Sequence, residues 1–247
     1  MIKFFRQIRF DLIEKDKTGK YLKYAVGEIL LVVIGILIAL QINQNAENNK
    51  MDLTRNEYYI QLLEDLNKDK QFINETIVHF QNEDAAYSEY LRTYENTELS
   101  PQQIYDNLMN LSIYSTGISF NSNTIESLRS SGEIILIPLS IRNKLIDLLR
   151  IQDDILKNHQ LNDTGKNNML QDLGIYRGAS TLNSRLENHP LLKSYLQFDE
   201  NLPQIILGLD AVAIWKNISE NSSRTQFELM LEEIEAVINL IELEIKI

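Results

Sequence analysis

The stretch Tyr24 to Ile42 reads YAVGEILLVVIGILIALQI, and between Ala25 and Ala39 its one polar side chain is Glu28. A run of this length covers the hydrocarbon core of a bilayer, roughly 30 Å, at about 1.5 Å per helical residue. Backbone groups have no water to bond there, so the stretch is expected to be a helix. It divides the chain into a basic tail (1–20), a transmembrane helix (21–43) and a long domain (44–247). A cleaved signal peptide fits less well. The region before the run is long and partly acidic, the run exceeds a signal core of roughly 7–15 residues, and the exit Gln41-Ile42-Asn43-Gln44 offers no small-residue cleavage site.

The net charge of −11 conceals a split. Residues 1–23 hold seven Lys/Arg against three acids, whereas residues 43–247 hold 17 basic against 31 acidic residues. Basic residues beside a first span mark the cytoplasmic side, which places the tail inside and the domain outside. The acidity of that domain argues against nucleic acid as a partner, because phosphate contacts dominate such affinity. The chain has no cysteine, which excludes disulfides, thiolate catalysis and cysteine metal sites.

Along the tail, Ile2, Phe5, Ile8 and Leu12 recur at helical spacing, with Lys3, Arg6 and Arg9 mainly between them. This pattern predicts a short basic amphipathic helix whose Lys3, Arg6 and Arg9 contact the anionic membrane surface. Within the span, Glu28, Gly35 and Ala39 share one face, and Gly35-x-x-x-Ala39 is a small-x-x-x-small pair that lets a second helix come close. Glu28 is placed either to snorkel toward the headgroups or to hydrogen-bond between packed spans.

Beyond the span, no glycine or proline occurs between Gly35 and Pro101. The positions Tyr59, Leu63, Leu66, Lys70, Ile73, Ile77, Phe80, Asp84, Tyr87, Leu91 and Tyr94 alternate steps of four and three. They predict a long helix from about 50 to 95, packed mainly within the chain. Ser100-Pro101 reads as a helix start, with the helix ending at Gly117. Thr124 is expected to cap a short helix closed by Gly132. Ile134 to Ile137 reads as a buried connector or a short strand. A further helix starts at Ser140 and passes His159. Pro203 is expected to open one helix, a turn at Asn217 to Ser223 to end it, and a last helix to run from Thr225 to Ile247. In that last helix Phe227, Leu231, Ile234, Ile238, Ile241 and Ile245 form a second seam, widened by Met230, Val237 and Leu240 into the core stripe of a bundle.

Chemistry is harder to find. Glu75 and His79 are four apart, but a carboxylate-bridged di-metal site wants two Glu-x-x-His pairs and the chain has none. No phosphate-binding, dinucleotide, nucleophile-elbow or HExxH motif occurs. The residues therefore point to no catalytic centre, no cofactor and no metal.

Two segments carry a resemblance. MIKFFRQIR followed by KYAVGEILLVVIGILIALQIN resembles the amino terminus of an uncharacterised Bacteroidota family of single-span membrane proteins, a domain of unknown function. NTIESLRSSGEIILIPLSIRNKLIDLL resembles a second stretch of that family, with Thr124, Leu128, Ser131, Gly132, Leu136 and Ile137 in the family's places. Pro138 stands where the family more often has a polar residue. The resemblance implies location and architecture, and no activity. It makes the Gly27-Glu28 pair typical of the family's span, and it implies an inner membrane with a periplasmic domain.

The expected protein is all-α, with an N-terminal transmembrane helix followed by an extracytoplasmic helical bundle built on a long first helix and a long C-terminal helix. Its expected partners are the lipid bilayer and either further copies of itself or a partner membrane protein. Its expected role is interaction, scaffolding or assembly. The alternative is a ligand-sensing ectodomain that signals through a partner, since 23 cytoplasmic residues cannot form an output domain.

Overall fold

A computed structural model describes residues 18–178 and 181–245. The expected basic amphipathic tail falls outside the described residues. The described residues are all-α: α1 (Thr18–Arg92), α2 (Pro101–Met109), α3 (Asn123–Ser131), α4 (Leu139–Arg177), α5 (Leu182–Leu186), α6 (Pro190–Tyr195) and α7 (Phe198–Ile245). Two compact units divide the chain, residues 1–57 and 58–247. The boundary expected at 43/44 thus falls within α1, in the first unit. Residues 44–57 are helical there, with most side chains in solvent.

In the first unit α1 carries one stretch long and apolar enough to cross a membrane, and none of it is buried within the molecule. The span and the long helix after it are therefore one helix, as the absence of any breaker between Gly35 and Pro101 allows.

The second unit holds three long helical stretches side by side. The end of α1 turns through a 3-10 turn, Thr93–Glu95, with Arg92 in its last turn, where a cation opposes the helix dipole. α2 begins as expected, with Pro101 in its first turn and a reciprocal capping box between Ser100 and Gln103. It ends at Met109, short of Gly117. The following segment is drawn out across α1: Asp69 of α1 accepts hydrogen bonds from both the backbone N–H and the Nδ2 of Asn121, each 2.8 Å.

Thr124 is no helix cap. Its hydroxyl donates to Asp65 of α1 at 2.5 Å, and Ser122 precedes the first turn of α3. Gly132 does close α3, in the left-handed conformation at φ 79° that suits glycine. Ile134 to Ile137 is the connector rather than a strand, with Glu133–Leu136 forming a 3-10 turn. The helix expected from Ser140 continues through Gly165 and Gly174 to Arg177.

The largest correction is at the C-terminal end. Pro203 lies inside α7, in its early turns, and Asn217 to Ser223 is helical. What reads as a polar turn is a stretch of one 48-residue helix whose polar side chains find partners on α1.

α4 and α7 run antiparallel. Lys144 pairs with Glu233 at 2.7 Å, Trp215 Nε1 donates to the Asn162 carbonyl, and Leu173 lies against Gly208. α1 also runs antiparallel to α7, through Lys70–Glu235, Lys216–Glu83 and Tyr90–Asp210. Two apolar cores result. The first gathers Tyr59 to Phe80 of α1, Ile125 and Leu128, Ile141 to Ile155 of α4, and Phe227 to Ile241 of α7. The second gathers Tyr90, α2, Leu173, Leu186 and Phe198 to Ala213 of α7.

The seam of α1 is half as expected. Tyr59, Leu66, Ile73 and Phe80 are buried, but the alternate positions are one residue earlier than anticipated: Leu62, Asp69, Thr76 and Tyr90 are buried. Leu63 and Ile77 are only partly covered, and Leu91 and Tyr94 are exposed. A helix packed against two neighbours turns a broader face inward than a two-stranded seam does. Asp69 and Thr76 are accommodated because each has a hydrogen-bond partner, Asn121 for the first and the Phe72 carbonyl for the second.

Candidate functional site

Glu28, Gly35 and Ala39 lie on the membrane-type stretch of α1. Glu28 is partly covered, while Gly35 and Ala39 are exposed. A Cβ placed on Gly35 would meet nothing within 4 Å, so the face through Gly35 is open. Lys3, Arg6 and Arg9 lie outside the described residues.

The second unit contains a constellation that the sequence reading passed over. Between the two apolar cores sits a polar layer contributed by α1, the segment after α2, α4 and α7. At its centre is Lys216, buried, with Nζ 2.7 Å from Glu83 and 3.0 Å from Glu220. Burial pushes the Glu220 carboxyl above the usual carboxylate range; Lys216 opposes that rise and Glu83 adds to it. Beside it, Asp84 accepts from Asn217 and Asn221, both at 2.9 Å, and these donors hold its carboxyl below the usual range. Toward α4, the buried Lys166 donates to Ser115, Ser115 donates to Asp163, and Asp163 lies 3.4 Å from Lys166. His159 stands 3.8 Å from Asp163.

Two small cavities open on this layer. One, about 20 Å³, is bordered by Glu83, Tyr87, Lys216 and Glu220. The other, about 10 Å³, is bordered by His159, Asp163, Lys166 and Trp215. Each has room for about one water. The layer is therefore suited to holding water and protons among paired charges. An organic substrate does not fit it in this conformation.

A second polar knot lies within the first core. Asp69 is buried, and its second carboxylate oxygen accepts from Gln152 Nε2 of α4 at 3.0 Å. No cation pairs with it among these contacts. Burial pushes its carboxyl above the usual range, and the Asn121 hydrogen bonds partly restrain it. In the second core the Tyr90 hydroxyl donates to Asp210 at 2.7 Å and lies 2.8 Å from Tyr94, so burial and these neighbours push its pKa well up.

Glu75 accepts a hydrogen bond from Gln71 Nε2 at 2.8 Å. The missed residues had a signal. The core phase of the last helix, extended backward from Phe227 in steps of three and four, passes through Ser223, Glu220 and Lys216 to Leu209. On α1 the same phase passes from Phe80 through Glu83 to Tyr87 and Tyr90. Charged residues at inward positions of two facing helices mark a buried pair.

No protein-family model, no curated protein and no solved structure matches this chain.

Proposed function

We propose that the chain is a single-pass inner-membrane protein with its tail in the cytoplasm and a periplasmic helical bundle, and that it acts by interaction and assembly rather than by catalysis. The resemblance to the Bacteroidota single-span family supports this location. The observation that carries the reading is the uncovered stretch of α1: its apolar side chains are exposed all round, and the Gly35 face that also bears Glu28 and Ala39 is open. Lipid or a second helix is the surrounding that satisfies such a surface. The cavities of the polar layer, about one water each, favour interaction over ligand sensing within that layer.

The test uses the full-length protein in its own membranes. The chain lacks cysteine, so Lys3→Cys and Glu98→Cys report sidedness without background. The expected result is that a membrane-impermeant maleimide labels Glu98→Cys from outside and Lys3→Cys only after permeabilisation. Labelling of both from one side overturns the orientation. Native mass spectrometry then compares the wild type with Glu28→Gln. An oligomer or partner complex that weakens on this substitution supports a packed Glu28, and unchanged assembly removes Glu28 from the interface.

A further inference from the structure

Arg177 is the last residue of α4 and is 6% exposed. Among the described residues its guanidinium makes no hydrogen bond and no ion pair, and its Nε is sealed from solvent with no partner. The other buried cations contrast with it: Lys216 pairs with Glu83 and Glu220, and Lys166 lies beside Asp163. The C-terminal end of α4 favours a cation through the helix dipole. A dipole supplies no acceptor for the N–H donors of the fork, and an unpaired buried charge is costly.

Two more donors lie beside it. Tyr105 of α2 is 3% exposed, and its hydroxyl makes no hydrogen bond among the described residues. Burial pushes that hydroxyl above its usual range; the charges of Arg177 and Lys193 pull it back, and Asp106 adds to the rise. Charges act in this way at short range, which makes Arg177, Lys193 and Tyr105 neighbours. Lys193 of α6 stands over the Phe198 ring at 5.7 Å, and that ring meets Tyr105 edge-on at 6.4 Å. The two acids of this corner are exposed and already engaged: Asp106 accepts from Gln102, and Asp199 pairs with Lys193 at 2.9 Å. Residues 177–197 carry Arg177, Arg185 and Lys193 against Glu187, three basic and one acidic for a net +2, within a domain of 17 basic and 31 acidic residues. A basic stretch in an acidic domain gives an anion a local reason to gather there.

We propose that Arg177, Lys193 and Tyr105 form a binding site for a small oxyanion, a phosphate or a carboxylate group. The planar fork of Arg177 offers paired N–H donors that match two oxygens of either group. Lys193 adds a point charge, and Tyr105 adds one O–H donor. Arg177 is nearly closed off, so the site takes a single oxyanion rather than the backbone of a polyanion. Every residue of the site lies in the second unit, so the inference stands apart from the membrane reading.

The experiment is titration calorimetry of the full-length protein in mild detergent. Sodium phosphate and sodium acetate are titrated separately, against sodium chloride at matched ionic strength. The expected result is saturable binding of one anion per chain beyond the chloride control, and the anion that binds tells a phosphate site from a carboxylate site. Arg177→Met is expected to weaken binding on the order of tenfold. Tyr105→Phe, which keeps the ring against Phe198, should weaken it several-fold and serves if Arg177→Met does not fold. Arg150→Met, on an exposed arginine of α4 paired with Asp147, removes the same charge and should change little. Urea unfolding separates binding from a structural role. Without phosphate or acetate, Arg177→Met removes an unpaired buried charge and should unfold no more easily than the wild type. With the binding anion present, the wild type should gain a rise in midpoint that the variant lacks. Absence of saturable binding for both anions would overturn the proposal. So would binding unchanged by Arg177→Met, or by Tyr105→Phe where it stands in, and so would an equal rise in midpoint for wild type and variant.

Discussion

Residues 22–42 and residues 58–90 belong to one helix, and they distribute their apolar side chains in opposite ways. Apart from Lys23, Glu28 and Gln41 the first stretch is apolar on every side, and its apolar window is not buried within the molecule. The second confines burial to one face, and that face includes Asp69 and Thr76 along with Phe80 and Ile73. The helix backbone is common to both, so the difference lies in what surrounds it. A stretch with no neighbour within the molecule suits lipid only when it is mostly apolar. A stretch with two protein neighbours tolerates polar groups inside, provided each is hydrogen-bonded or paired.

Substitutions on the two stretches sharpen this contrast. Phe80 stacks on Phe227 with centroids 6.1 Å apart, at the end of the first core nearest the polar layer. Phe80→Ala is expected to cost about 3–5 kcal/mol. Urea unfolding of full-length protein in mild detergent, followed by circular dichroism, checks it; a loss below about 1 kcal/mol would mean that the core collapses around the gap. Next is Lys216→Ala, which strands Glu83 and Glu220 in the polar layer and is expected to cost about 3 kcal/mol. Adding Glu83→Gln and Glu220→Gln should recover part of that loss. Trp215, the single tryptophan, borders the layer and reports both changes by fluorescence.

Gly208→Ala is expected to cost about 1–3 kcal/mol, because the added Cβ would lie 2.2 Å from Leu173 Cδ2. Leu173→Ala in the same protein should offset some of the clash.

A smaller effect concerns pH. Asp69 and Glu220 have carboxyls raised by burial, so the folded state takes up their protons at higher pH than the unfolded state does. Between the unfolded and folded values the native state binds more protons, so stability falls as pH rises through that window and grows on mild acidification. The urea midpoint is therefore expected to rise on acidification toward the ordinary carboxylate range, and Asp69→Asn with Glu220→Gln should flatten the rise. A wild-type midpoint that falls over this range would contradict the sign. Smallest of all is Leu30→Ala on the membrane-type stretch. It should leave the unfolding of the second unit unchanged within about 0.5 kcal/mol. A larger shift would break the contrast, by making residues 22–42 part of the same cooperative core.

Much of the architecture was legible before any coordinates. The apolar run, the helix start at Ser100-Pro101 and the glycine after α3 all announce themselves locally. The misread places share a cause. Asn217 to Ser223 reads as a turn because asparagine and serine favour turns when their side chains bond the nearby backbone. Here Asn217 and Asn221 bond Asp84 instead, far away in sequence, and the helix continues. Thr124 reads as a cap for the same reason and bonds Asp65 instead. The seam of α1 was placed one residue off at alternate positions because apolarity alone selects Leu63 and Ile77, whereas packing selects Leu62 and Thr76.

The sequence by itself determined that the chain is helical, that one stretch suits a membrane, and that the first and last helices are long. Each follows from periodicity, hydropathy and the scarcity of breakers, which act over a few turns of helix. Only the tertiary structure decided which face of each helix turns inward and that α7 is unbroken. It also decided that Lys216, Glu83 and Glu220 meet between two cores. The cost of burying a charge or an amide depends on partners more than a hundred residues away, and no local pattern carries that information.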